Sequence, residues 1–505
     1  MKAEITERFI TMNKPQKNNT QQQQVKKPRT AITPTRDEDF SEWYQQVIKA
    51  ADLAENSPVR GCMTVKPYGW AVWELMQKIF DEWLKDYGVQ NCSFPLLIPV
   101  SFLAKEAEHV EGFAKECAVV THHRLEADPE KGLVPAGELE EPYVVRPTSE
   151  TIIGEAMSRW IQSYRDLPMQ LNQWAQVMRW EMRTRMFLRT SEFFWHEGHC
   201  AFENHEAAKA DCLHILGLYE KFFTEYLALD GFKGVKTDDE KFPGANDTYA
   251  FETMMQDGKA LQAATTHDLG INFAKTFGIK YQGKDEQEHF AHTTSWAFTT
   301  RMIGAMVMMH GDDDGMMMPP RIAPHQIVIL PVVKEDTAEA VNAFCKKLRD
   351  QLKEKGFRVK LDDRDMRTPD KMWDAVKKGI PLRVEVGGRE VENGELTHVR
   401  RDLGKDSKTT ISVDEFLNSA QDILDQIHDS MLDRQRKFRN DNTHEVSTVS
   451  DIEDFFKSGR TGFVKAPIEI LSDKALEKVM GEHGLSTRNK PFDDEGQKVL
   501  IAKAY

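Results

Sequence analysis

Cysteine is scarce in this chain and scattered where it occurs. Six cysteines stand among 505 residues, and Cys62, Cys92, Cys117, Cys200, Cys212 and Cys345 include no CxxC pair. That spacing excludes a disulfide-stapled secreted scaffold and gives no support for a cysteine metal site; it suits reduced thiols in a cytosol. Long apolar runs are absent too. None approaches the roughly 20 residues needed to span a bilayer, and the N-terminus has no secretory apolar stretch, so a cytoplasmic protein without a membrane partner is expected. Positive charge falls short as well: 67 Lys+Arg against 81 Asp+Glu leave a net −14, which argues against wholesale coating of nucleic acid. The shortfall is uneven. Residues 324–408 hold 19 Lys+Arg against 16 Asp+Glu, so that stretch is +3 and the remainder −17. A locally basic module on an acidic body can still bind a polyanion through a patch.

At this length a single core does not suffice, and about three domains are expected. Residues 1–33 are polar, with Gln21 to Gln24 in a row, and read as a disordered tail. Apolar spacing predicts helices over Asp39–Ala54 and Gly69–Tyr87. Cys92–Pro99 reads as a proline-limited strand, which belongs at a sheet edge or interface. Thr248–His267 reads as two strands around the Asp257-Gly258 turn signal, and residues 297–309 as a helix apolar nearly all round, whose one arginine, Arg301, must meet an anion. Beyond Pro319-Pro320 and Pro324, strand and helix alternate over Gln326–Val332, Thr337–Gly356, Phe357–Leu361, Pro369–Lys378 and Leu382–Val386, the pattern of a small α/β unit. An acidic amphipathic helix is predicted over Val413–Arg436, followed by a weakly patterned end.

The densest chemistry lies between residues 173 and 202, which read as a β-hairpin. Its first arm, Gln173 to Arg183, carries Arg179 and Glu181; its second, Glu192 to His199, carries Phe193, Trp195, Glu197 and His199 at alternate positions. Alternation along a strand puts such residues on one face. A surface with an arginine, carboxylates, a histidine and two aromatics suits a flat heterocycle joined to phosphate: rings stack, a carboxylate accepts amino protons, and a guanidinium forks onto phosphate oxygens. A solvated salt-bridge face is the plainer reading of the same pattern.

Other stretches extend the pattern: Arg146-Pro147-Thr148-Ser149-Glu150-Thr151, Phe187 to Phe193, His196-Glu197-Gly198-His199, Thr294-Ser295-Trp296 through Arg301, His310-Gly311-Asp312, Pro319 to Pro324 and Gly379 to Arg383. Together they resemble the class II aminoacyl-tRNA synthetases, and more narrowly the prolyl-tRNA synthetases of the archaeal/eukaryotic type, strongly over residues 35–410 and loosely beyond. The resemblance implies an α+β fold: an antiparallel class II catalytic sheet flanked by helices (34–323), an α/β anticodon-binding domain (324–410) and a small α/β C-terminal domain (411–505). It implies an enzyme that uses ATP and Mg²⁺ to join L-proline to tRNA(Pro) through a prolyl-adenylate, releasing pyrophosphate and then AMP. It also implies a homodimer, formed through the Phe94–Pro99 strand and the helix before it.

By the same resemblance Arg179 grips the α-phosphate and the proline carboxylate, Glu181 takes the adenine amino group, Phe193 stacks on adenine, and Arg189 holds phosphate or the base side. Arg301 meets the γ-phosphate, and Gln262, Thr265 and Thr299 add ATP contacts, with Gln262 near the magnesium ion. Thr148 and Glu150 take the proline amine, while Trp195, His199, His267, Ser295 and Phe113 wall the ring. Arg364, Arg367, Lys371, Arg383 and Arg389 are the candidates to reach the tRNA anticodon. Two departures from the family pattern stand out. Ala297 occupies a position that is usually glycine, and no cysteine follows Cys345, so no structural zinc is expected. Between His199 and Gln262 there is no room for a large editing insertion, which leaves mischarged alanine or cysteine uncleared. The alternatives left open are the same fold charging another small amino acid, a non-catalytic RNA-binding relative, and an ATP-dependent carboxylate ligase that uses no tRNA.

Overall fold

The computed structural model describes residues 30–104 and 116–505. An eight-stranded sheet dominates, in the order Lys490–Pro491, Gly231–Val235, Asp247–Met254, Ala260–Gly270, His292–Thr299, Glu192–Phe202, Met169–Met178 and Gln90–Asn91. Every neighbouring pair is antiparallel except the last. One face packs on helices, chiefly His205–Leu227 and Pro67–Tyr87, through a buried aromatic cluster of Phe80, His196, Tyr219, Phe222, Phe223 and Phe298. The alternation of Glu192–Phe202 explains the division: His196 and Cys200 turn to the helices, whereas Phe193, Trp195, Glu197 and His199 line the opposite face. Gly198 is required on the helix side. A Cβ there would lie 2.0 Å from the Trp296 ring, its partner across the ladder.

Several expectations need correction. The hairpin forms, yet its first arm stops at Met178. Arg179 N–H still donates to Ser191 O, but Trp180 N–H turns away to Glu116 O, so Arg179 to Arg183 belong to a connecting loop. The helix expected over 297–309 begins at Arg301, because Ala297 to Thr299 stay in the sheet ladder. Of Cys92–Pro99 only Leu97–Pro99 is strand, at the edge of a three-stranded sheet with 118–128 and 132–145. The Asp39–Ala54 helix is shorter, Phe40–Ala50.

A second sheet of five strands runs Val359–Leu361, Ile327–Pro331, Leu382–Val386, Glu395–Arg400 and Thr409–Ser412, parallel over the first three and antiparallel beyond. The last strand crosses the break expected at 410/411. The helix Val413–Asp441 buries Phe416, Ala420, Leu424 and Ile427 in the same core as this sheet. The end that seemed weakly patterned folds into a four-stranded sheet, Thr443–Glu445, Phe463–Pro467, Lys498–Ala502 and Ser486–Thr487, and lends Lys490–Pro491 to the large sheet. Short strands of mixed polarity carry little periodic signal, which is why they were missed.

Candidate active site

The open face of the large sheet frames a cavity of about 470 Å³. Its lining includes Thr148, Glu150, Arg179, Glu181, Arg189, Phe193, Trp195, His199, Gln262, Thr265, His267, Ser295, Thr299 and Arg301, so the structure brings these expected site residues together. Phe113 lies outside the described residues. The ladder sets the order: Ser295 sits between His199 and His267, and Ala297 between Glu197 and Thr265. Gln262 reaches this face only because of a β-bulge. Phe251 pairs with Ala264 but Glu252 with Gln262, leaving Ala263 as the extra residue and restoring Gln262 to the side of Thr265 and His267. Strict alternation would turn it away.

Arg179 enters from the start of the connecting loop. Its Nε donates to Pro147 O at 2.8 Å, and its guanidinium lies 5.6 Å from the Phe193 ring and 5.7 Å from that of Trp195. Glu181 accepts from Arg183 N–H at 2.8 Å and faces Arg189 at 3.5 Å. Arg301 is the first residue of its helix; its N–H donates to Thr299 Oγ1 at 3.0 Å and its Nη1 to Gln262 O at 3.4 Å. Burial, with the positive charges of Arg189 and Arg179 nearby, pushes its pKa down to about 10. Among the described residues no carboxylate ion-pairs with Arg301, so the anion its position calls for does not come from a neighbouring side chain.

The far end of the cavity is built differently. Glu150 begins the helix Glu150–Trp160 and accepts from Thr148 Oγ1 at 2.5 Å. Glu197, buried at the floor, accepts from Ser149 Oγ at 2.5 Å, Gln173 Nε2 at 2.6 Å and His199 Nε2 at 2.9 Å. Burial alone would raise the Glu197 pKa, but the hydrogen bond and charge of His199, with Ser149 and Gln173, outweigh it and hold the carboxyl below its ordinary range. Burial opposes charge on His199 as well; Glu197 and then Glu150 prevail and raise it. His267 differs: burial, then the charges of Lys236 and His199, lower its pKa to about 3, so it stays neutral between the hydroxyls of Thr248 at 2.9 Å and Thr265 at 3.2 Å. The Trp195 indole N–H and the Ser295 hydroxyl are buried with no hydrogen-bond partner among the described residues, in two side chains that line the cavity.

Sequence reasoning missed Lys236, a buried cation lining the cavity with Glu240 3.8 Å away, and the Ser149–Gln173 support beneath Glu197. The Gln173 contact was recoverable, since Gln173 pairs with Glu197 across the hairpin. Lys236 carried no signal. In the five-stranded unit Arg364 pairs with Asp362 and Asp374, Arg367 with Asp370, and Arg383 with Glu385. Arg389 is exposed. Lys371 is not available as expected: it is buried, with Nζ donating to Asp362 O at 3.1 Å.

An antiparallel sheet holding two arginines, a phenyl ring and a compact polar pocket in one cavity defines a class II aminoacyl-tRNA synthetase core. Residues 134–310 match the family described as tRNA synthetase class II core domain (G, H, P, S and T), and residues 326–423 match the anticodon binding domain. The chain is 51% identical to a proline--tRNA ligase of Bdellovibrio bacteriovorus, over 87% of this chain and 90% of that one. It is 47% identical to that of Rhodopirellula baltica, over 95% and 99%. A crystal structure of prolyl-tRNA synthetase from Cryptosporidium parvum complexed with halofuginone and AMPPNP superposes with a TM-score of 0.85 at 32% identity, covering 94% of this chain and 99% of that one. The chain belongs to the proline--tRNA ligase family.

Proposed function

We propose that the charging of tRNA with proline runs in two steps in this one cavity, through a prolyl-adenylate. The observation that carries this reading is the convergence of Arg179 and Arg301 on a single cavity, with Phe193 beside the first and the Trp195–Ser295–His199 pocket beyond. ATP is the nucleotide, an assignment supported by the AMPPNP named for the Cryptosporidium relative. The proline carboxylate attacks the α-phosphorus and pyrophosphate leaves; a terminal ribose hydroxyl of tRNA then attacks the anhydride carbonyl, AMP leaves, and the hydroxyl proton goes to its phosphate. No side chain has to give up a proton. Arg179 holds the reacting carboxylate and α-phosphate in line, and Arg301 draws the outer phosphates to the other end, so charge spreading over phosphate oxygens meets groups already in position. Thr148 and Glu150 receive the proline amine, with the unpartnered Trp195 and Ser295 atoms at the ring pocket.

Among the described residues no three His, Cys, Asp or Glu side chains converge to cage a metal ion. The cavity nonetheless suits Mg²⁺, which is commonly carried by substrate phosphates with one or two protein oxygens; Gln262 would supply one. The ion would neutralise phosphate charge there. Residues 203–259, spent on one helix and two strands of the large sheet, support an archaeal/eukaryotic-type chain without its own editing activity. Arg389, together with Arg364, Arg367 and Arg383, is assigned to the anticodon arm. A homodimer is supported by the exposed Leu96, Leu97 and Val100 along the Leu97–Pro99 edge. A cytoplasmic location is supported by six free thiols; among the described residues no helix is long and apolar enough to cross a membrane.

ATP–pyrophosphate exchange with proline as the sole amino acid tests the reading. Exchange with proline is expected, falling by roughly 10²–10³ or more in Arg179→Ala, the scale of one lost electrostatic donor. Equal exchange with another small amino acid, or an Arg179→Ala enzyme at full rate, would refute it.

A further inference from the structure

Four consecutive positions of the C-terminal unit, 487–490, meet the large sheet beside the cavity's nucleotide end, apart from its last residues, which pair with Ala260. Thr487 Oγ1 meets Thr237 Oγ1 at 2.7 Å, Asn489 Nδ2 donates to Phe232 O and Ala250 O, and Lys490 pairs with Val235 as added strand. Between them Arg488 forks onto Glu252, Nε to Oε2 at 3.1 Å and Nη2 to Oε2 at 2.9 Å and to Oε1 at 3.1 Å, while its Nη1 donates to Ser486 Oγ at 2.8 Å. Arg488 is buried and Glu252 wholly so. Glu252 sits directly across the bulge from Gln262, on the cavity face, and Arg301 donates to the carbonyl of that same Gln262. One buried carboxylate thus takes a guanidinium from the chain's end, while its charge also reaches Arg301 and Lys236 on the cavity side.

We propose that Arg488 is a positioning residue for the nucleotide end of the cavity: by saturating Glu252 it leaves the Arg301 guanidinium available to the triphosphate. A buried carboxylate stripped of its partner does not stay bare; it captures the nearest cation or a proton. With Arg488 gone, Arg301 and Lys236 are the cations on the cavity side that already feel its charge. An arginine drawn onto Glu252 is withdrawn from phosphate, so ATP binding suffers while the proline pocket, at the other end, does not. The C-terminal unit thereby sets the affinity of a site it never enters. This inference rests on the assignment of Arg301 to ATP.

A plain structural clamp would predict something else, and a neutralised pair separates the two. ATP–pyrophosphate exchange would be measured for the parent chain, Arg488→Met, Arg488→Lys and the double variant Arg488→Met/Glu252→Gln, with KM for ATP and for proline determined separately and thermal unfolding followed in parallel. Arg488→Met is expected to raise KM for ATP on the order of tenfold, the size of one charge-assisted contact diverted, with KM for proline unchanged. Arg488→Lys, which keeps the charge, restores most of the ATP affinity. The double variant removes the competing carboxylate, so its KM for ATP returns close to the parent value although its melting temperature stays low. An unchanged KM for ATP in Arg488→Met, or a double variant as weak for ATP as that single one, overturns the proposal. Should Arg488→Met fail to fold, the double variant decides: normal KM for ATP supports the proposal and a raised one overturns it. A parent chain without proline-dependent exchange would instead strike the functional reading itself.

Discussion

Replacing Glu197 by glutamine tests the floor of the cavity at the end proposed for proline. The carboxylate is buried, as is His199, and it accepts from three donors at 2.5, 2.6 and 2.9 Å. Breaking a buried ion pair outright costs about 3–5 kcal/mol. Glutamine keeps one acceptor for Ser149 and Gln173, and its amide N–H₂ can meet a neutral His199 in the other tautomer, so about 2–4 kcal/mol is expected. The pH dependence is the sharper signature. His199 titrates above its ordinary 6.5 when folded, so its contribution is complete below 6.5 and fades as pH rises through the raised value. Glu197 titrates below its ordinary 4.5, so its contribution is complete above 4.5 and is lost as pH falls through the lowered value. Both are therefore whole between 4.5 and 6.5. In Glu197→Gln, burial governs His199 and its pKa drops, which reverses that part of the slope. Urea unfolding at pH 5.5 and pH 8.5 should show the larger gap between parent and variant at the lower pH. A gap below about 1 kcal/mol, or one of equal size at both values, would refute the argument.

Gly198→Ala should destabilise the chain by about 1–3 kcal/mol, because the new methyl collides with Trp296 and pushes its indole off Asp211; a fall in the urea midpoint with loss of near-UV signal checks this. Alanine should be activated at a low rate and its tRNA ester left intact, since contact with the ring methylenes separates proline from a smaller side chain by only about 1–3 kcal/mol per methylene; rapid hydrolysis of alanyl-tRNA by the pure protein would contradict it. Arg389→Glu should raise KM for tRNA while leaving proline-dependent exchange unchanged. Lys371→Met should instead lower the melting temperature, because its ammonium serves the Asp362 carbonyl and not solvent.

The residues of the cavity were legible because local rules carry them. Phe193, Trp195, Glu197 and His199 share a face by strand alternation alone, and Asp257-Gly258 marked its turn. Motif order then tied Arg179 to Arg301 across more than a hundred residues. Where backbone partners lie elsewhere, the reading failed: the loop from Arg179 and the strand that keeps Ala297 to Thr299 each depend on which backbone groups pair at a distance, as Trp180 does at Glu116. The C-terminal unit lay further out of reach. Arg488 and Glu252 are 236 positions apart, and no periodicity links them. Amino-acid order by itself determined which faces are apolar and which chemical groups the site holds, since those follow from side-chain type and repeat. Tertiary structure alone decided which charges are neutralised before a substrate arrives, because that depends on distance and on exclusion of water, and neither is a property of a linear chain.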